Sequence, residues 1–214
     1  MRKTKNITII DYGVGNLHSL KKAFLLLGIK PLLTEDPARV NDADAIVLPG
    51  VGAFQAGMRG LEIRNLTGAI QTHAQKNKPL LGICLGMQIM MTEGYEFGYA
   101  KGLDLVKGKV IKFPKLEKEY KIPHIGWNKI TKAEHAASWD DSICKTLKEG
   151  SNVYFVHSFL PVPDKRENIL AETIYGNYKF CSAIKKGNIY GCQFHPEKSG
   201  SIGLEIIKNF IDLM

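Results

Sequence analysis

The chain lacks any apolar run approaching the ~20 residues that span a bilayer. Its opening, Met1-Arg2-Lys3-Thr4-Lys5-Asn6, leads straight into Ile7-Thr8-Ile9-Ile10 without a signal-peptide core of adequate length. Both absences predict a soluble, cytoplasmic protein with no membrane partner. Paired cysteines are lacking too: Cys84, Cys144, Cys181 and Cys192 contain no CxxC pair. That suggests neither a zinc site nor a disulfide framework, and reduced thiols are expected, with no metal. No low-complexity tract or internal repeat is present, and disorder is expected only in the basic first few residues. The formal charge of +8 raises nucleic acid as a partner, but the lysines are scattered and neither a recognition-helix signature nor an aromatic RNA-binding motif accompanies them. No nucleic-acid partner is expected. The densest basic stretch, Lys107 to Lys121, alternates with apolar residues and includes Glu117 and Glu119. It reads as a solvated strand pair or loop, or as a face for an acidic protein partner.

What is present suits one large α/β domain spanning residues 1–214, with hydrophobic and charged fractions of 44% and 23%. The organising stretch is Lys78-Pro79-Leu80-Leu81-Gly82-Ile83-Cys84-Leu85-Gly86-Met87-Gln88, a strand, a tight turn and a helix start. Gly82 and Gly86 bracket Cys84 at the spacing of a nucleophile elbow, in which a strained turn presents one side chain above the sheet edge. A helix beginning at Leu85 favours a thiolate through its unpaired N–H groups and dipole. The competing reading makes Cys84 a small buried hydrophobe at an ordinary strand–helix junction.

Before the elbow, residues 6–11 predict a buried first strand, and apolar residues at 17, 20, 24 and 27 predict a helix that Gly28 stops. Between them lies Gly13-Val14-Gly15; the third glycine of a dinucleotide fingerprint is replaced by His18, so a tight βα turn is the better reading. Strands are expected at 29–34 and 44–49, and helical residues up to Asn77. Pro49-Gly50-Val51-Gly52-Ala53-Phe54 follows the third strand, where backbone amides could complete an oxyanion hole, although glycine turns after strands are common. After the elbow, residues 102–130 change to strand-like segments, and Ile122-Pro123-His124-Ile125-Gly126-Trp127-Asn128 suggests a surface feature. Trp127 is either core filler or an aromatic anchor in a protein interface. A short helix is predicted over 140–147, a strand over 152–158, a hairpin of 169–175 and 179–184 around Gly176-Asn177, and a last strand over 189–194.

That strand runs into His195-Pro196-Glu197. In extended chain an i, i+2 pair shares one face, and the intervening proline blocks a helix. A histidine oriented by a carboxylate is what a cysteine nucleophile requires, whereas a lone His-x-Glu is usually a surface pair. The other histidines offer worse cases: His18 lies on a helix, His73 and His135 sit in polar stretches, and His124 and His157 have no carboxylate nearby in sequence.

Gly82-Ile83-Cys84-Leu85-Gly86-Met87-Gln88 together with Phe194-His195-Pro196-Glu197 resembles the signature pair of class I glutamine amidotransferases. The stretches Asp11 to Leu17, Leu48 to Phe54, Pro123 to Asn128 and His195 to Ser199 are similar to one branch, the glutaminase subunits of imidazole glycerol phosphate synthases. The resemblance covers nearly the whole chain. It implies an open, mostly parallel, flavodoxin-like sheet flanked by helices, with an antiparallel extension in the second half. It implies a Cys84, His195, Glu197 triad that hydrolyses glutamine through a thioester, with no cofactor. The Leu85 N–H and an N–H from the Val51-Gly52 loop would receive the oxyanion, and Gln88 would contact substrate. The ammonia would pass to a cyclase partner, a (β/α)8 barrel needing ~250 residues of its own, hence a separate polypeptide in a heterodimer. Asn16, Trp127 and Lys198 would face that partner. Three readings stand beside this one: a class I glutaminase serving another synthase, a non-catalytic binding protein on the same fold, and a cysteine peptidase of similar architecture.

Overall fold

In the computed structural model, residues 6–134 and 138–214 are described; the first five residues and His135 lie outside that range. Five strands build a parallel unit: β1 (Ile7–Ile10), β2 (Leu32–Thr34), β3 (Ala45–Leu48), β4 (Leu80–Ile83) and β13 (Ile189–Cys192). They lie in the order β2-β1-β3-β4-β13, with every neighbouring pair parallel. The nine-stranded sheet continues through β12 (Tyr178–Lys186), β11 (Ile169–Tyr175), β8 (His124–Lys132) and β9 (Ser151–His157), where every further pairing is antiparallel. The parallel core and antiparallel extension are thus as expected from the sequence. A second, four-stranded sheet joins β5 (Met91–Gly94), β6 (Ala100–Lys101), β7 (Val106–Lys112) and β10 (Phe159–Pro163).

The parallel strands are buried on both faces, which is why they read as unbroken apolar runs rather than alternating ones. Their side chains still alternate in direction. Ile7, Ile9, Ala45, Val47, Leu81 and Ile83 point to a core completed by Leu20 and Phe24 of α1 (Leu17–Leu26) and by Ile206, Ile207 and Phe210 of α6 (Gly200–Asp212). Ile10, Ile46, Leu48 and Leu80 point the other way, against α2 (Pro37–Asp42), α3 (Phe54–Ile63), α4 (Leu66–Gln75) and α5 (Leu85–Ile89).

Local chemistry explains several boundaries. Asn16 begins α1 by accepting the Ser19 N–H at 3.2 Å. The second strand starts at Leu32 rather than Ile29, after Pro31, which has no N–H to give a ladder. The 140–147 segment forms turns instead of the expected helix. There the Ser142 hydroxyl bonds the Trp139 carbonyl at 2.7 Å and takes the Cys144 N–H at 3.0 Å, competing with a helical ladder. His195-Pro196-Glu197 also departs from the extended chain expected, because Pro196 opens a 3-10 turn, Pro196–Lys198. Proline suits that first position, where its missing N–H costs nothing. Among the described residues no helix is long and apolar enough to cross a membrane.

Candidate active site

Strand β4 ends at Ile83, and Cys84 caps α5 with φ 53° and ψ −110°. For a residue with a Cβ this is strained backbone, neither helical nor extended. The neighbours hold it there: the Cys84 N–H donates to the Cys192 carbonyl at 2.7 Å and the Gln88 N–H to the Cys84 carbonyl at 3.1 Å. A Cβ on Gly86 would collide with the Leu48 carbonyl, so glycine is what lets α5 lie against β3. The bracketed elbow therefore forms as its spacing predicts.

Strand β13 pairs with β4 through Cys192 and Ile83, so the chain leaving β13 emerges beside the elbow. It carries His195, whose N–H donates to the Tyr154 carbonyl at 2.9 Å and whose own carbonyl accepts the Ser199 hydroxyl at 2.6 Å. His195 Nδ1 meets Glu197 Oε1 at 2.8 Å, with both side chains at most 4% exposed. The pair formed from i, i+2 residues is thus buried, not a surface pair, and the 3-10 turn closes it. Burial alone would lower the His195 pKa; the Cys84 sulfur and the Glu197 carboxylate overcome that and raise it to about 10. With Nδ1 committed to Glu197, Nε2 is the nitrogen left over; it is buried, and the Cys84 sulfur is the neighbour that raises the His195 pKa most.

Cys84 lines a cavity of about 500 Å³ together with Val51, Gly52, Leu85, Gln88, Glu96 and His157, among others. A roomier hollow of about 660 Å³ opens near Asn77 and Gly187, at the amino ends of β4 and β13, but its lining contains neither cysteine nor histidine. Of the two, the Cys84 cavity is the one that brings a sulfur and an imidazole together. Of the two expected oxyanion donors, the Leu85 N–H is engaged by the Gly50 carbonyl at 3.3 Å. Freeing it requires the 49–53 loop to rearrange. Gly52 sits in that loop at φ 102°, with open space where a Cβ would be.

Three contributors escaped the sequence reading. Gln193 donates to Cys84 Sγ at 3.6 Å and accepts from Gln88 at 3.0 Å; a glutamine inside an otherwise apolar strand run was the available signal. The Tyr12 hydroxyl bonds the Pro49 carbonyl at 2.5 Å, under the glycine loop. Glu96 accepts the Phe54 N–H at 2.7 Å, anchoring the start of α3 to the cavity rim. His124 corrects an expectation: it is buried, not a surface feature, and pairs with His157 at 3.2 Å.

The three residues expected to meet a partner are all exposed. Trp127 is 57% exposed, which removes the core-filler reading. Its ring meets Tyr154 edge-on at 6.2 Å, and Lys198 Nζ lies 5.8 Å from the centre of that same ring. Asn16 lines a narrow cleft with Gly50, His195 and Glu197. Trp127 and Lys198 thus share one aromatic neighbour, and Asn16 reaches the acid–base pair from the opposite element.

The family model for "Glutamine amidotransferase class-I" matches residues 8–213. The chain is 44% identical over 211 residues to the imidazole glycerol phosphate synthase subunit HisH 1 of Legionella pneumophila strain Paris, covering 97% of this chain and 99% of that one. It is 46% identical over 210 residues to subunit HisH of Methanosarcina barkeri, covering 98% and 99%. Among solved structures, PurLQS from Thermotoga maritima superposes with a TM-score of 0.71 at 16% identity, over 98% of this chain and 99% of that one, a likeness of fold. Together with the elbow cysteine and its buried His–Glu pair, these similarities establish that the chain belongs to the class I glutamine amidotransferase family.

Proposed function

We propose that the chain, as one amidotransferase domain, is the cytoplasmic glutaminase subunit of an imidazole glycerol phosphate synthase, acting on glutamine without a cofactor. The observation that carries the chemistry is a strained Cys84 opening into a cavity, next to a buried His195 held by Glu197. The raised His195 pKa favours a Cys84 proton already resting on His195 Nε2, and the thiolate sulfur attacks the carboxamide carbon of glutamine. The imidazolium then protonates the departing nitrogen as the C–N bond breaks, leaving a glutamyl thioester and ammonia. Water, deprotonated by His195, cleaves the thioester to glutamate and releases the sulfur as the thiolate beside the imidazolium. Both tetrahedral intermediates carry an oxyanion, for which the Leu85 N–H and an N–H of the Val51-Gly52 loop are the donors; losing one such donor costs roughly 100- to 1,000-fold in rate. Gln88 lies at the cavity wall to contact the substrate.

Ammonia released to water becomes ammonium, which is no nucleophile, so it is handed to a separate cyclase of (β/α)8 type. That subunit would use it to form imidazole glycerol phosphate and an aminoimidazole carboxamide ribotide, and would dock on Asn16, Trp127 and Lys198. The bond from Leu85 to Gly50 supports gating, because partner binding that moves the loop would release the donor. Gly52→Ala tests this: its φ suits glycine, so partner stimulation should change, and unchanged stimulation would count against a mobile loop.

The deciding measurement is glutamate release from glutamine by wild type and Cys84→Ala, with and without the cyclase subunit and its ribonucleotide ligand. The expected result is release that requires Cys84 and rises sharply with the partner. Release that requires Cys84 but ignores this cyclase would point to another synthase, and no release at all to a binding protein.

A further inference from the structure

We infer that Gln193 is a catalytic residue that donates its side-chain N–H to the Cys84 sulfur, and that the buried His124–His157 pair is a positioning device for the amide chain that aims it. The inference rests on the reading of Cys84 as nucleophile and adds to it a thiolate-stabilising group outside the triad.

The orientation of the amides follows from one backbone carbonyl. Phe159 O can only accept, and it faces Gln88 Nε2 at 3.1 Å. Gln88 Nε2 also faces a Gln193 side-chain atom at 3.0 Å, which must therefore be the oxygen. That leaves the Gln193 nitrogen toward Cys84 Sγ, 3.6 Å away. Both Gln88 amide protons are thereby spent, so Gln88 offers the cavity its oxygen, an acceptor suited to a substrate N–H. Gln193 is fully buried and Gln88 nearly so, which makes reorientation toward water costly.

The same Phe159 carbonyl takes a second bond, from His157 Nδ1 at 2.9 Å. Burial pushes the His157 pKa down to about 3 and that of His124 to about 4, so both rings are neutral at physiological pH. A neutral His157 that donates from Nδ1 must accept at Nε2, and His124 Nδ1 stands 3.2 Å from it. His124 Nε2 then faces Asn128 Nδ2 at 3.5 Å. Two donor runs meet at the Phe159 carbonyl: Asn128, His124 and His157 donate toward it from β8 and β9, and Gln88 donates both to it and to Gln193, which donates to Cys84, so the connection reaches the nucleophile with no charge beside it. The titratable groups around Cys84 are Tyr12 just after β1, Cys192 from β13, His157 from β9, Glu96 on the cavity rim, and His195 with Glu197 from the turn after β13. None belongs to the substitutions below.

The test is the pH profile of Cys84 alkylation by iodoacetamide in the full chain, with Cys84→Ala as background control. Gln193→Met keeps length and bulk but removes the donor. The alkylation midpoint should rise by about one pH unit, with kcat for glutamine falling about tenfold. His124→Phe keeps the ring stacked between Phe155 and Tyr175, at centroid distances of 4.8 and 3.9 Å, and should move the midpoint in the same direction by less. The double variant should move it no further than Gln193→Met alone. An unmoved profile in Gln193→Met, folded by circular dichroism, would overturn the donor role. Should that variant fail to fold, Gln193→Leu, which also lacks a donor and carries no charge, must show the same upward movement or overturn it equally. Additive shifts in the double variant would overturn the positioning role. Glutaminase activity surviving in Cys84→Ala would instead sink the nucleophile reading, while leaving the alkylation profile to report on the hydrogen bond.

Discussion

Glu197 shares with the Cys84 sulfur the work of raising the His195 pKa. It holds His195 Nδ1 at 2.8 Å from a position that is almost wholly buried. Because the His195 pKa is raised from 6.5 to about 10, the group binds its proton more tightly folded than unfolded. Its contribution to stability is complete below about pH 6.5 and is lost as pH rises through about 10. Denaturant unfolding at a series of pH values should show that decline in wild type and a flatter profile in Glu197→Gln. The same variant should lose glutaminase activity by on the order of 1,000-fold or more, since an amide can neither hold the required tautomer nor balance the imidazolium. At this scale the sequence was generous where chemistry lies in residue type and near spacing: Cys84 between its glycines, and His195 two positions from Glu197. It offered only a polar residue in an apolar run for Gln193 and no reason to pair His124 with His157, because their partners are supplied by strands distant in the chain.

At the scale of elements, the elbow depends on how closely α5 approaches β3. Gly86→Ala places a methyl against the Leu48 carbonyl and should destabilise by about 3 kcal/mol, lowering the melting temperature by roughly 6 to 12 °C in a thermal scan. Helix α2 gives a milder case. Asp36 accepts the Ala38 N–H at 2.8 Å, with Pro37 at the first helical position. Asp36→Ala should cost about 1 kcal/mol in unfolding free energy and leave glutamine turnover unchanged. That Asp-Pro start marks a helix in the sequence, although six residues are too few to display a period. The parallel strands were legible because double-sided burial leaves them apolar throughout. The 140–147 turns were not, since their apolar spacing is helical and only the placement of the Ser142 hydroxyl decides otherwise.

For the molecule as a whole, the positive charge has a visible location along β7, where Lys107 and Lys109 alternate outward from buried Val106 and Val110 and Lys112 is exposed at the strand's end. If the excess of +8 steers docking onto an acidic cyclase face, association rates should fall about tenfold from low to moderate salt while dissociation changes little. A stopped-flow salt series reads this directly, and a flat series would leave the lysines as ordinary solvated residues. The parallel core and its antiparallel extension were readable from the chain, but the pairing of β13 with β4 was not, because nothing local tells the last strand which neighbour to choose. That pairing also sets a timetable. Gln193 is 109 positions from Cys84, and β13 is the strand that bridges β4 to β12. A chain still emerging from the ribosome therefore carries Cys84 well before His195 and Glu197, and on the proposed roles a product truncated ahead of Ile189 would have the sulfur without its base and should turn over no glutamine.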